Sequence, residues 1–226
     1  MTEDEAISIL DRQFVSDTGF LANLRAQGTL GEDGVAQVRL ALAALTQQWA
    51  GSVSVPKRAV FALAHWNLLD ALIEIFPDLP LNRLHSDLFG LIELCLTPGE
   101  WATAEWRIGY DGPERTLVDE FRSEDGFLMR LHGGYGVEQQ SVERILGAIQ
   151  SVRMQYRGHA RIPKAVAYVL VFAPEVIRGR WGIYRDRPSV QQEILDLGND
   201  LGQWVRDCLQ DELSPRVAQM KMDLTE

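Results

Sequence analysis

The segment Arg178-Gly-Arg-Trp-Gly-Ile-Tyr-Arg-Asp-Arg187 holds the residue types best suited to recognition chemistry in this chain. Arg178, Arg180, Arg185 and Arg187 supply guanidinium forks, and Trp181 and Tyr184 supply flat apolar faces. Such a mixture can hold phosphate while stacking on a ring. It can also anchor a protein interface, where Arg, Trp and Tyr are enriched, or form a loop held by ion pairs to acidic groups of the same chain. Lys164 extends the set. It follows Pro163 at an expected helix start, where the helix dipole disfavours a cation, and Lys57 follows Pro56 in the same way. A carboxylate in the same half would compensate, as would an anion beside Ser54 or Arg161.

The remaining candidates carry less chemistry. His65 and His85, with Asp87 or Glu93, could converge on a metal, but no histidine pair among His65, His85, His132 and His159 has the i,i+4 spacing of a helical ligand pair. No metal and no cofactor is therefore expected. Cys95 and Cys208 are flanked by leucines and read as buried, inert thiols in a reducing compartment. Leu131-His-Gly-Gly-Tyr-Gly136 lacks the strand and the Gly-Lys-Ser/Thr ending of a phosphate loop and reads as a turn. Ser123, before Glu124-Asp125-Gly126, is turn chemistry rather than a nucleophile. Neighbouring carboxylates such as Glu3/Asp4/Glu5, Glu32/Asp33 and Asp119/Glu120 suit the first turns and polar faces of helices, not acid catalysis. No catalytic residue is assigned, and the reading leans away from an enzyme.

What must position these groups is a repeated scaffold. Shifted by 107 positions, Phe14, Ser16, Gly19, Phe20, Leu21 and Leu24 fall on identical residues at Phe121, Ser123, Gly126, Phe127, Leu128 and Leu131. Gly51, Pro56 and Lys57 fall on Gly158, Pro163 and Lys164. Across positions 10 to 66, 14 of 57 residues are identical, against roughly 6% by chance at ordinary composition. After a short gap, Asp87-Leu88 matches Asp200-Leu201 and Cys95-Leu96 matches Cys208-Leu209. Residues shared by the halves are expected to make the fold, and those that differ are freer to carry function.

The expected fold is all-α: about eight helices as two tandem four-helix repeats, residues 1–107 and 108–226, packed as one body. The arrangement is either a pseudo-twofold bundle or a short helical-repeat array. In the first half the helices span about 4–27 (broken near Gly19), 32–50, 56–76 and 80–96. The second half repeats them over about 113–133, 138–157, 163–178 and 188–212. Val35, Val38, Leu42, Leu45 and Trp49 step by three and four and mark one buried face. Pro174 is expected to end or kink its helix early. Trp101, Trp106 and Tyr110 are expected to seal the joint, and the last dozen residues to fray.

Net charge is −10, with −7 on residues 1–107 and −3 on the remainder. An acidic body repels phosphate and argues against general nucleic-acid binding. No apolar run approaches the roughly 18 residues of a membrane helix, and the acidic N-terminus has no leader character, so a cytoplasmic protein is expected. The leading functional reading is a non-catalytic protein–protein interaction module. Its concrete form is an acidic inhibitor or immunity-type protein that binds a basic partner. The alternative is a small-anion-binding protein or enzyme with its site between the repeats. A homo-oligomer through an apolar face fits the same sequence.

Overall fold

Helix starts and stops follow local chemistry. Thr2 and Glu5 form a reciprocal capping box at the first helix, and Gly28 ends the next in a left-handed cap at φ 64°. The computed structural model describes residues 1–98 and 111–210, and these are mostly helical. The first half runs α1 Glu3–Leu10, a π-helical turn Asp11–Val15, α2 Phe20–Gln27, α3 Glu32–Gln48, β1 Ser54–Pro56, α4 Lys57–Ala64, a 3-10 turn His65–Asn67, α5 Leu68–Ile75 and α6 Leu81–Leu96. The second half runs α7 Gly112–Arg122, α8 Phe127–His132, α9 Gln139–Gln155, β2 Arg161–Pro163, α10 Lys164–Arg178, a 3-10 turn Trp181–Tyr184 and α11 Pro188–Leu209. Trp101, Trp106, Tyr110 and the C-terminal tail lie outside the described residues.

Several contacts recur 107 residues apart. The carbonyls of Arg12 and Gln13 crowd Gly19 so closely that a Cβ there would sit 2.2 and 2.5 Å from their oxygens. At Gly126 the carbonyl oxygens of Asp119 and Glu120 would be 2.4 and 2.8 Å away. Glycine is required at both by close approach. The Phe20 amide donates to Gln13 Oε1 at 3.1 Å, and the Phe127 amide donates to Glu120 Oε2 at 2.9 Å. Ser16 and Ser123 each return a hydroxyl to the carbonyl four residues earlier.

The halves meet at a two-stranded antiparallel ribbon whose register pairs Val55 with Ile162. Pro56 and Pro163, expected as first helical residues, instead close the strands and precede α4 and α10. The ribbon continues as Lys57 N–H to Ala160 O and Lys164 N–H to Val53 O, both 2.9 Å. The buried faces of α3 (Val35, Val38, Leu42, Leu45) and α9 (Val142, Ile145, Ile149, Val152) match the expected stripes.

Two expectations about the third helix need correction. In the first half it is interrupted at His65–Asn67, where the Asn67 amide donates to Ala64 O and to Val171 O of the other half. In the second half Pro174 does not end the helix, which runs on to Arg178. Gly202 of α11 lies against the proline ring: a Cβ there would be 3.8 Å from Pro174 Cβ. Close packing by α11 accompanies the proline within this helix. Among the described residues, no helix is long and apolar enough to cross a membrane.

Candidate functional site

A polar cluster of titratable groups lies where the halves touch. Asp70 on α5 and His85 on α6 come from the first half, and Glu175 and Arg178 come from the end of α10. Glycine at position 198 makes room for this, since a Cβ there would stand 2.4 Å from Arg178 Cγ and 3.1 Å from Pro174 O. Trp66, fully buried, stacks on the His85 imidazole with centroids 4.6 Å apart. Phe89 and Phe172 pack edge-on against that indole, so the imidazole plane rests on a rigid aromatic wall.

The cluster is ordered as two layers. Arg178 Nη2 donates to Asp70 Oδ2 and Glu175 Oε2, each at 3.1 Å. The other oxygens, Asp70 Oδ1 and Glu175 Oε1, stand 2.9 and 3.5 Å from His85 Nε2. Although close to both, the buried Nε2 makes a well-directed hydrogen bond to neither. Burial opposes charge on Asp70, but His85, Glu175 and Arg178 outweigh it and hold the carboxyl well below its usual range. Burial also pulls His85 down, yet the carboxylates against its ring prevail and push it up to about 9. Glu175 is shifted upward, first by burial and then by Asp70 beside it. Two carboxylates this close resist ionising together. The arrangement can serve as an ion-pair clamp between the halves or as a three-donor site for a cation.

Sequence reasoning placed His85 in a different company. Asp87 pairs with Arg39 at 3.0 Å, Glu93 accepts from the Tyr168 hydroxyl at 3.0 Å, and His65 Nδ1 lies 2.8 Å from Phe61 O. The signal that was missed was Asp70 and Glu175, which are 105 positions apart and have no spacing rule to join them.

The residues singled out by sequence separate into inner and outer groups. Arg178 belongs to the cluster. Lys164 is buried, and its Nζ donates to Trp49 O at 3.0 Å across the ribbon, as Lys57 Nζ donates to Tyr156 O at 3.2 Å. Tyr184 is also buried, its hydroxyl bridging Leu131 O and the Gly136 amide. Arg180 is partly buried with its Nε unpartnered. Trp181, Arg185 and Arg187 are exposed. Arg187 lies 4.7 Å over the Tyr184 ring and donates to Gly134 O at 2.7 Å, which brings the exposed Tyr135 loop beside this segment.

The acidic groups of the first half also divide. Glu3 pairs with Arg161, Asp11 with Arg58, Asp70 with Arg178 and Asp87 with Arg39. Glu32, Asp33, Glu74 and Asp78 are exposed, and none of them forms a salt bridge within the described residues. They gather at one end of the half. The Gly28 turn abuts Phe76, and Leu30, Glu32 and Pro80 line one groove of about 570 Å³ together with Asp87, Arg39 and Arg83. Ile75, 61% exposed, lies between the acidic positions. No family model, curated protein or solved structure matches this chain.

Proposed function

We propose that the protein is a non-catalytic interaction module that docks a basic protein through the acidic end of its first half, in the manner of an inhibitor or immunity-type protein. The observation that carries this reading is the gathering of Glu32, Asp33, Glu74 and Asp78 around exposed Ile75 and partly buried Phe76 and Leu79. Charge there steers a cationic partner and sets its orientation, while the apolar residues supply area to bury. Glu3, Asp11, Asp70 and Asp87 are taken up by arginines of the same chain, and this end is favoured over exposed Asp4, Glu5 and Asp17 because its carboxylates flank exposed Ile75. The heads of Arg178 and Lys164 are turned onto the protein's own acceptors, which weighs against an anion site between the halves.

The same reading takes the chain to be a tandem duplication of a four-helix unit, packed about a pseudo-twofold axis through the Val55–Ile162 pair. Its support is the ribbon register together with the reciprocal reach of Lys57 and Lys164. In such a molecule the shared positions keep the scaffold and the differing acidic end is released for recognition.

The test compares the wild type with the variant E32K/D33K/E74K/D78K as baits in a lysate of the source organism, washed at rising salt. Circular dichroism and the melting curve establish that the variant is folded. Capture of a basic protein that elutes with salt, and its loss from the variant, is the expected result. A partner retained equally by both baits, or an acidic partner, would overturn the assignment.

A further inference from the structure

The Asp70–His85–Glu175 cluster has the geometry of a cation site, and this inference stands apart from the docking surface. One donor atom from each of the three residues lies within 4.8 Å of the others. Ligands held at about 2.0–2.2 Å around a tetrahedral ion are separated from one another by roughly 3.2–3.6 Å. Of the separations from His85 Nε2, the 3.5 Å to Glu175 Oε1 lies within that range and the 2.9 Å to Asp70 Oδ1 just below it. Fractions of an ångström of adjustment admit an ion.

The division of the carboxylate oxygens is the second observation. Arg178 takes Asp70 Oδ2 and Glu175 Oε2 from behind. It leaves one oxygen of each carboxylate on the imidazole side. Outer groups that orient metal-binding carboxylates work in this way. The third observation is His85 Nε2 itself, buried and in line with neither oxygen. Serving only as a hydrogen-bond donor, the ring would gain by turning toward one acceptor. The ring instead stacks on Trp66, with Nε2 within 3.5 Å of both oxygens.

We propose that Asp70, His85 and Glu175 bind a divalent transition-metal ion of the zinc class across the two halves of the chain, with Arg178 positioning both carboxylates. One imidazole and two carboxylates match the N/O preference of zinc, cobalt(II) or manganese(II). Calcium instead requires six to eight oxygens. Three protein donors leave a fourth position for water. The Arg178 charge repels the ion and holds the affinity below that of a site with a neutral outer layer. Because the donors come from α5, α6 and α10, the ion ties the halves together and stabilises the folded chain by linkage.

The experiment uses the full chain, stripped with chelator and then freed of it. Cobalt(II) is added while its visible bands are recorded, and zinc(II) is titrated by calorimetry and by melting temperature. The expected result is one ion per chain, cobalt bands that zinc displaces, and a higher melting temperature with either metal. The variant H65Q/H132Q/H159Q, which keeps His85 as its only histidine, is expected to bind as the wild type does. H85Q and D70N are each expected to weaken binding by more than the roughly 10–100-fold typical of outer-layer changes. Absence of cobalt bands and of a melting shift in the wild type would overturn the proposal. So would full binding by H85Q, or loss of binding in the triple variant. Should H85Q fail to fold, the wild type and the triple variant still decide it, through the zinc-dependent shift of the His85 Nε2 resonance in nitrogen-15 spectra.

Discussion

The two halves repeat several local contacts 107 positions apart with different side chains, most plainly in the turns that end α1 and α7. In each, a polar side chain reaches seven residues ahead to cap an amide, Gln13 to Phe20 and Glu120 to Phe127. Gln13 is neutral and hydrogen-bonds Gln37. Glu120 carries charge, and Arg144 at 2.6 Å and Arg130 at 3.7 Å answer it. Geometry is kept while charge is traded, and each trade brings its own counter-ion. The joint teaches the converse. His85 of α6 corresponds, 113 positions on, to Gly198 of α11, where the missing side chain leaves room for Arg178. Asp70 corresponds 107 positions on to apolar Ile177. The polar cluster therefore spans the joint without a matching copy at these two positions. It is built from positions at which the two halves carry different residues.

The largest expected effect tests the shared scaffold. Gly19→Ala and Gly126→Ala each place a Cβ well inside contact distance of backbone carbonyls, which cannot swing aside as a side chain can. Each should cost about 3 kcal/mol, the upper part of the overpacking range. In a chain of this size that lowers the melting temperature by roughly 10 °C. Calorimetry of both variants checks this. A tolerated alanine in one half alone would show that the two turns are not equivalent.

The next effect belongs to the diverged cluster. Arg178→Met removes the group that holds both carboxylates and leaves Asp70 and Glu175 facing each other with only His85 between them. Breaking a buried ion pair costs about 3–5 kcal/mol. These side chains are only partly buried, 15 to 26% exposed, so about 2 kcal/mol is expected from urea unfolding. A double-mutant cycle with Asp70→Asn should show coupling, and additive effects would dissolve the cluster as an energetic unit.

The same cluster sets a pH dependence in chelated protein. The folded His85 pKa of about 9 lies above the ordinary 6.5, so the folded state binds the proton more tightly than the unfolded one. Its stabilisation is fully present below about pH 6.5 and fades as pH rises through 9. Unfolding free energy measured from pH 6 to 10 should fall over that window. His85→Gln should flatten the fall.

How much of this was legible follows from the range of the interactions. Helix stripes, the capping box at Thr2 and the turn glycines are local and were readable from spacing and residue type. The repeat let Gly19 and Gly126 be read as structural without a structure. The interruption at His65–Asn67 was hidden, and the Asn67 side-chain bond to Val171 O that accompanies it spans 104 positions. Pro174 misled for a related reason: helix rules treat a segment alone, and here α11 packs against the proline. The candidate site was half visible. Arg178 and His85 drew attention by type, but their partners Asp70 and Glu175 looked like ordinary surface acids until the halves were brought together.

A smaller effect bears on the charge trade in the turns. Glu120→Gln restores the side chain of the other half and keeps the Phe127 cap, but it leaves Arg144 without its carboxylate, while Arg130 keeps Glu138 at 2.9 Å. The expected loss is about 1 kcal/mol, the scale of one charge-assisted contact at a half-exposed arginine. The double change Glu120→Gln with Arg144→Gln should regain most of it. Failure of the second change to compensate would mean that the carboxylate does more than answer the arginine.

The smallest effect is one of chemistry rather than stability. Cys95 donates its thiol to Leu42 O at 3.5 Å, and Cys208 donates to Ile149 O at 3.6 Å. The two acceptors are themselves 107 positions apart, so the halves hold their thiols alike. Burial pushes the Cys95 thiol up to about 11. At pH 8 its thiolate fraction is then about a thousandth, and the thiolate is the reacting species. Both cysteines are buried and unbridged. Alkylation followed by mass spectrometry should therefore leave both unmodified in the folded chain and label both at one rate, set by unfolding. Two different rates would show that one half opens without the other, which is the sharpest available measure of whether the joint makes them a single cooperative body.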